Sequence, residues 1–398
     1  MENFDHWEIL ADPDQIYNPE FASTNGNRKI EGHVTDIISD LAIHWINKMK
    51  TSSKPLFILV LYNGVKKPWI PPIRQLDLYN SILLPEPTTL RSNHDNKGPA
   101  SRYQEIQIDH NLDNTNDLFL EYESLTSTIA KDNLINGQDH IKQLNGEQLS
   151  AWQLALRPQN EAFARSNFEI EDLLSWKYQR FAKNYLRCVQ AIDENVGRIY
   201  KYISQDANEL DWQFVYTACR GSFVGENGWF GSSWIYDPVM KIPLIVSGSK
   251  FEKGKLNYSM VNTTDIGSII LNIADISKKD ALINIQKLED PDQRVIYFEH
   301  HHFPTQAMVA KHYGIRYRDH KIIHYHQFDE WEFFDLSKDP KEQNNILSES
   351  TKLELFEQFK EILAEERKSL GLGKFDNPMP EEWRKIYRGP NARKKSNN

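Results

Sequence analysis

The sequence predicts a mixed α/β domain followed by a small C-terminal antiparallel α+β subdomain. Three stretches carry this prediction. Residues 56–62 (LFILVLY) form an apolar run that is typical of a strand covered on both sides. Residues 177–203 have the spacing of a long amphipathic helix. Residues 214–246 have the pattern strand, glycine-rich loop, strand, and α/β folds place ligand sites in loops that follow buried strands.

Composition narrows the function classes. The chain has 398 residues, of which 39% are apolar and 12% aromatic, enough for a sizeable core. The net charge of -9 argues against general nucleic-acid binding, which needs a basic face. The two cysteines, Cys188 and Cys219, make no disulfide framework, and we expect Cys188 to be a buried residue of a helix.

The beginning of the sequence bears on localisation. MENFDHWEIL lacks the basic and apolar regions of a signal peptide, and no apolar run approaches the ~20 residues that span a membrane. We therefore expect no membrane partner and, for the sequence as written, a cytoplasmic protein. If the true N-terminus is missing, the expectation becomes a secreted or periplasmic protein.

Before the long helix, the sequence predicts one helix and one polar region. The helix starts at Thr35 or Asp36, either of which could cap it, and runs to about Lys50. Residues 92–176 include a polar stretch rich in Asn and Asp, and we expect surface insertions there.

The long helix and the C-terminal part have clearer patterns. In the helix, Asn195 is expected to position a neighbouring loop or to face solvent. The predicted buried stripe comprises Phe181, Leu186, Val189, Ile192, Val196 and Ile199. A strand is expected around residues 294–300, then an antiparallel sheet with one covered face, and a closing helix at residues 353–363. The run His300, His301 and His302 is interpreted as a polar loop, because adjacent side chains on an extended chain point to opposite faces.

Three stretches share their residues with one enzyme family. In the glycine-rich loop the matching residues are Tyr216, Thr217, Gly221, Gly225, Glu226, Gly228, Trp229, Phe230, Trp234, Tyr236 and Pro243. Nearer the N-terminus they are Pro68, Trp69, Pro71 and Pro72. In the C-terminal part they are His312, Gly314, Arg316, Lys321, Trp331, Glu332, Asp335, Leu336, Asp339, Pro340, Asn344 and Asn345. This pattern resembles the type I sulfatases, the formylglycine-dependent sulfate-ester hydrolases, and their polysaccharide-directed members in particular.

The resemblance covers residues 4–345 and implies an alkaline-phosphatase-like α/β/α sandwich lacking its first strands. It suggests a partial catalytic-type domain at residues 1–290, with insertions at about 92–176. A C-terminal sulfatase subdomain would occupy residues 291–372, followed by a polar, basic tail at residues 373–398.

The residues that carry the family's chemistry differ in this chain. Where the resemblance implies the two calcium ligands of the late loop, the chain has Cys219 and Arg220. The histidine of that loop is replaced by Asn227, its lysine by Ser232, and the histidine of an earlier turn by Lys66. Because Ca²⁺ prefers ~6–8 oxygen ligands, we expect the calcium site to be lost and no metal or other cofactor to be bound.

The hexapeptide KGPASR at residues 97–102 fits the end of the family's nucleophile signature. Its nucleophile position is Lys97, which cannot become formylglycine, and we interpret the match as chance.

We therefore interpret the chain as a catalytically inactive, sulfatase-like protein that binds a sulfated glycan. The candidate substrate-binding residues of this degenerate pocket are Lys66, Arg220, Asn227, His312 and Arg316, with no catalytic and no metal-binding residue assigned. An exposed basic turn is an equally good interpretation of Lys66.

Two alternatives stay open. The chain could be an active sulfuric-ester hydrolase whose nucleophile and metal ligands are supplied by a complementing N-terminal chain. It could also be a gene remnant without a stable fold, because a sheet that lacks a strand exposes apolar edges.

Overall fold

The structure is a computed structural model that describes residues 4–102, 104–121, 141–166, 168–205, 211–276, 294–303, 305, 307–372 and 379–382. The chain divides into two compact units. The first comprises Met1–Leu90 and Ile108–Trp212, and the second comprises Arg91–Gln107 and Gln213–Asn398. The division expected at residue 290 stays a prediction, and most of the basic tail lies outside the described residues.

The helices are α1 (Val34–Met49), α2 (Pro99–Arg102), α3 (Ile108–Asn111), α4 (Gly146–Arg165), α5 (Ile170–Gln205), α6 (Asp237–Met240), α7 (Ile266–Ile273) and α8 (Leu353–Ser369). Single 3-10 turns lie at Ile73–Gln75, Ile141–Gln143, Glu226–Gly228, Thr263–Asp265, Ile346–Ser348 and Ser350–Lys352. Among the described residues, no helix combines the length and apolarity that a membrane crossing needs.

The strands are β1 (Glu8–Leu10), β2 (Glu20–Ser23), β3 (Gly26–Lys29), β4 (Phe214–Thr217), β5 (Phe223–Val224), β6 (Phe230–Gly231), β7 (Leu244–Ser247), β8 (Ile296–His300), β9 (His312–Tyr317), β10 (His320–Tyr325) and β11 (Glu330–Asp335). They form antiparallel sheets in the orders β1-β2-β3, β4-β7, β5-β6 and β11-β10-β9-β8.

Helix α1 begins slightly before the predicted start, because its cap is a histidine. The backbone N–H of Thr35 donates to Nδ1 of His33 at 3.3 Å, so the cap predicted at Thr35 or Asp36 is wrong. Asp36 instead accepts two hydrogen bonds from Arg74, at 2.6 and 2.8 Å, and one from Asn195 at 2.7 Å. Asn195 of α5 is therefore buried against α1 and does not face solvent.

The buried stripe of α5 differs in part from the prediction. Phe181 and Ile199 are buried as expected, whereas Val189 is 38% exposed. The buried face instead includes Arg187, whose Nε donates to the carbonyl of Leu78 at 3.0 Å. A search for apolar residues cannot identify a buried arginine, so the prediction omitted Arg187 and included the exposed Val189. Cys188 is buried, as predicted.

The apolar run at residues 56–62 is not a strand covered on both sides. No described strand pairs with it, and Phe57, Leu59 and Leu61 are 55%, 53% and 71% exposed. The alternate residues are half-buried, and the Tyr62 hydroxyl lies 2.7 Å from Oγ of Ser39 in α1. The run is therefore an extended segment with one covered and one exposed apolar face.

The interpretation of residues 92–176 as surface insertions is wrong for much of the described part. Leu118 and Leu120 are fully buried, and helix α4 carries Trp152 and Leu156 into the core around Tyr17. These inward positions are four residues apart, about one helical turn, whereas Leu154 between them is 67% exposed. Helix α4 therefore buries one side, although the prediction treated it as part of the insertions.

The second unit contains the predicted strand, loop and strand, because β4 pairs antiparallel with β7 across the glycine-rich loop. It also contains the predicted C-terminal sheet and its closing helix. One face of that sheet packs Ile315, Ile322 and Phe333 against Phe356 and Phe359 of α8. The opposite face is covered as well, so the expectation of a single covered face is wrong.

Candidate functional site

The candidate site lies in the second unit, on the sheet face that carries Lys321, Ile323 and Tyr325. We call it the inner face. The rings of Trp234 and Tyr236, two residues of the glycine-rich loop, cover this face. The ring centroid of Trp234 lies 6.0 Å from that of Tyr325, and the ring centroid of Tyr236 lies 5.8 Å from that of Phe334. Loop residues therefore cover the inner face, and its polar groups have little contact with bulk water.

Antiparallel register sorts the inner face into rows. Arg316 lies opposite Lys321 at one end, and His300 lies opposite His312 at the other. We call the first the charge end, which consists of Arg316 and Lys321 with Asp237 and Glu342. We call the second the histidine end, which consists of His300, His312 and Tyr325 with Trp234.

The charge end is a network of ion pairs centred on a buried lysine. The Nζ of Lys321, which is 0% exposed, lies 2.5 Å from Oδ1 of Asp237 and 2.7 Å from Oε1 of Glu342. Asp237 also pairs with Lys241 at 2.8 Å and with Arg316 at 3.4 Å. Burial alone would raise the pKa of Asp237, but the neighbouring ammonium groups hold it at about 2. Burial raises the pKa of Glu342.

A second buried carboxylate, that of Glu332, lies between the two ends of the inner face and binds the segment that contains Gly98. Glu332 accepts hydrogen bonds from Tyr236 at 2.5 Å, from Tyr325 at 2.8 Å and from the backbone N–H of Gly98 at 2.7 Å. Lys97 donates to the carbonyl of Glu342, and burial lowers its pKa. The hexapeptide that resembles the nucleophile signature is thus anchored against the sheet by its backbone and its lysine.

The histidine end is uncharged and incompletely bonded. The ring of His312 lies 5.2 Å from that of His300 and 5.3 Å from that of Trp234. Burial lowers the pKa of His312 to about 3 and that of His300 to about 4. Nε2 of His312 and Nε1 of Trp234 are buried and lack hydrogen-bond partners among the described residues. Interpreting His300 as part of a polar loop is wrong, because it ends strand β8.

The glycine-rich loop presents Arg220 at the surface. The N–H of Gly221 donates to the carbonyl of Val239 at 2.7 Å, and a Cβ at Gly221 would lie 2.3 Å from the carbonyl oxygen of Pro238. Only glycine fits there, and this contact fixes the backbone next to Arg220. Cys219 and Arg220 are exposed, and the charge of Arg220 contributes to lowering the pKa of His300. The charge of Arg220 therefore acts on His300.

The structure distributes the five predicted binding residues over several places. His312 belongs to the histidine end, and the charge of Arg220 acts on His300 there. Arg316 belongs to the charge end. Asn227 is buried with a left-handed backbone (φ 60°), and its Oδ1 accepts from Nε2 of Gln343 at 2.5 Å. Their role in binding stays a prediction.

Lys66 lies in the first unit, apart in sequence from the other four. Its Nζ donates to the carbonyl of Pro13 and to Oδ1 of Asp14, both at 2.8 Å. Such a pair suits the interpretation of this residue as part of a basic turn.

The loop residues do not fit a calcium ion. Calcium is held by hard oxygen donors, whereas Cys219 offers a soft thiol and Arg220 a cation. In the part of the chain that the structure describes, no group of three or more His, Cys, Asp or Glu residues is arranged to hold a metal ion.

The sequence analysis did not predict the buried ion-pair network, although the strand sequences contain evidence of it. Lys321 and Glu332 occur in strands whose same-face neighbours are apolar or aromatic, namely Ile323 and Phe334. A charge at such a position predicts a buried partner. The partner of Lys321, Asp237, lies 84 residues away, so the sequence could not identify it.

Comparisons with known proteins identify the family. Residues 225–369 match a family described as N-sulphoglucosamine sulphohydrolase, C-terminal. The chain is 30% identical over 403 residues to N-acetylglucosamine-6-O-sulfatase of Bacteroides thetaiotaomicron, covering 98% of this chain and 71% of that one.

Solved structures of sulfatases also resemble this chain. A structure of BT4656 in complex with its substrate D-glucosamine-2-N,6-O-disulfate matches with a TM-score of 0.84 and 29% identity, covering 94% of this chain and 78% of that one. A putative sulfatase, yidJ, from Bacteroides fragilis matches with a TM-score of 0.62 and 17% identity, covering 94% and 68% of the two chains, and supports the fold alone. The predicted α/β, alkaline-phosphatase-like fold is confirmed, and the chain belongs to the sulfatase family.

Proposed function

We propose that this sulfatase-family chain binds sulfated glucosamine-type carbohydrate and does not hydrolyse the sulfate ester. The observation that carries the proposal is Arg220, an exposed guanidinium at the loop position where the family resemblance implies a calcium ligand. The substrate class comes from the names of the relatives, which act on N-acetylglucosamine-6-O-sulfate or bind a disulfated glucosamine.

The chemistry of Arg220 supports sulfate binding without calcium. A guanidinium donates two parallel hydrogen bonds to an oxyanion and remains charged at all physiological pH values. A cation at this position also repels a divalent metal ion. Arg220 would therefore replace the metal as the positive charge that attracts sulfate.

The groups expected to steady the leaving oxygen are replaced as well. Asn227 and Ser232 stand at the family positions of a histidine and a lysine, and neither can donate a proton at neutral pH. Removing one stabilising donor from an enzyme site typically costs ~10²–10³ in rate. The combined replacement supports the loss of hydrolysis.

Turnover and binding test this proposal directly. The purified protein would be assayed with an aryl sulfate, with and without calcium, and its folding would be checked by thermal melting. We expect a cooperative melt, no turnover, and binding of N-acetylglucosamine-6-O-sulfate that Arg220→Ala weakens about 10-fold, the cost of one charge-assisted hydrogen bond. Calcium-dependent turnover would refute the proposal, as would the absence of binding.

A second candidate function is hydrolysis by a two-chain enzyme, and the extended segment at residues 56–62 favours it. Its exposed Phe57, Leu59 and Leu61 alternate as the face of a strand does. A complementing chain could add a strand there and supply the nucleophile and the metal ligands. This candidate requires turnover to appear when the complementing segment is co-expressed, and Leu59→Asp to abolish it.

A further inference from the structure

The tautomer of His312 is fixed by its backbone contact. Nδ1 lies 2.7 Å from the carbonyl oxygen of Ala310. Since a carbonyl can only accept, Nδ1 carries the hydrogen and Nε2 is left with a lone pair. His312 thus presents an acceptor, 1% exposed, at the histidine end.

A donor lies beside this acceptor. The ring of Trp234, also 1% exposed, has its centroid 5.3 Å from that of His312, and its Nε1–H is buried without a partner among the described residues. Buried polar groups in folded proteins are nearly always bonded to protein, water or ligand. A hydroxyl group both donates and accepts, so one hydroxyl could satisfy Nε2 of His312 and Nε1 of Trp234 together.

The charge state decides which ligand group the histidines can recognise. Because burial lowers the pKa of both His300 and His312 far below 7, their rings are neutral and offer no attraction to sulfate. The positive charge near them belongs to Arg220, whose field reaches His300. The neutral pair can thus recognise a hydroxyl group, and the cation can recognise a sulfate.

We infer that His312 and Trp234 bind one hydroxyl of a sulfated amino sugar whose sulfate is held by Arg220. This inference rests on the proposed function and deepens it, because it divides recognition between a neutral pair for the sugar and a cation for the sulfate. It also changes the role expected of His312 from attracting an anion to accepting a hydrogen bond.

Isothermal titration of the full chain with two probes tests the division. The probes are N-acetylglucosamine-6-O-sulfate and inorganic sulfate. We expect His312→Phe to weaken the sugar about 5- to 10-fold, the loss of one neutral hydrogen bond, and to leave inorganic sulfate unchanged. Arg220→Ala should weaken both. His320→Phe, at the opposite end of the same sheet, is the matched control and should leave both unchanged.

The outcomes separate this inference from the proposed function. Sugar binding that survives His312→Phe unchanged overturns the inference and leaves the proposed function standing. A wild-type protein that binds neither probe refutes both. A sugar effect at His312 without any effect at Arg220 keeps the hydroxyl contact and refutes the role of Arg220.

A second measurement covers the case in which His312→Phe fails to fold. In the wild-type protein, the ¹⁵N chemical shift of His312 Nε2 reports whether that atom accepts a hydrogen bond. The shift should move on addition of the sugar and stay constant with inorganic sulfate. A shift that does not move although the sugar is bound means that Nε2 is bonded to water only, and it overturns the inference.

Discussion

The two ends of the inner face differ in how their buried polar groups are paired. At the charge end, each of the four ionisable side chains has an ion-pair partner within 3.4 Å, although Nε of Arg316 has no hydrogen-bond partner among the described residues. At the histidine end no side chain is charged at neutral pH, yet Nε2 of His312 and Nε1 of Trp234 lack partners among the described residues.

The difference separates stability from recognition. A buried ion pair is costly to break, because removal of one partner leaves the other charge in a medium of low dielectric. A buried neutral group that lacks a partner stabilises nothing, and it is available to a ligand. The sequence resemblance assigned Arg316 and His312 to one pocket, whereas their surroundings differ in kind.

The largest expected effect comes from removing the centre of the charge end. Lys321→Met leaves Asp237 and Glu342 buried without their shared cation, and we expect the free energy of unfolding to fall by about 3–5 kcal/mol. Urea titration would measure it. Lys241→Met is the matched control: Lys241 pairs with the same Asp237 but is 65% exposed, so its loss should cost less than about 1 kcal/mol. Equal losses in the two variants would contradict the comparison.

The pH dependence of stability should come from buried neutral histidines. Burial lowers the pKa of His312 to about 3 and that of His33 to about 4, against about 6.5 in the unfolded chain. Between pH 6.5 and 4 the unfolded chain therefore binds more protons than the folded chain. Stability should fall as the pH is lowered through this range, by up to about 1.4 kcal/mol per pH unit for each ring, and stay constant above it.

His312→Phe should reduce this slope by the share of one ring. Urea titrations of the wild-type and variant proteins at several pH values from 4 to 7 would show the difference. Asp237 contributes little in this range, because its pKa is about 2. Burial raises the pKa of Glu342, but this carboxyl is present in both proteins and its contribution cancels in the difference between their profiles. Parallel pH profiles for the two proteins would contradict the assignment of a neutral, buried His312.

Local patterns predicted much of the second unit. The strand, loop and strand at residues 214–246 and the antiparallel strands near the C-terminus follow from alternation and turn residues, and both are present. The run at residues 56–62 is a case in which the local pattern gave a wrong prediction. Its composition predicts a covered strand, but whether an extended segment is paired depends on what lies beside it, and the run's own residues do not contain that information.

The site was predictable only where chemistry depends on residue type. Cys219 offers a soft thiol and Arg220 a cation, so their identities alone led to the prediction that the loop does not hold calcium. The ion pairs of Lys321 depend on contacts with Asp237 and Glu342, which arise only when strands and loop pack together. The tautomer of His312 depends on a local backbone conformation that brings Nδ1 to the carbonyl of Ala310. Burial then sets which groups are charged, and no sequence pattern records burial of a single side chain reliably.

The smallest expected effect is the one that separates the two ends most clearly. At pH 7, His312→Phe should change the free energy of unfolding by less than about 1 kcal/mol, because the ring keeps its aromatic contacts with Trp234 and loses one hydrogen bond, from Nδ1 to the carbonyl of Ala310. Removal of the orphaned Nε2 offsets part of that loss. Urea titration beside Lys321→Met measures both variants on one scale. A loss at His312 as large as that at Lys321 would show that the histidine end also holds the fold together, and its polar atoms would then have structural partners.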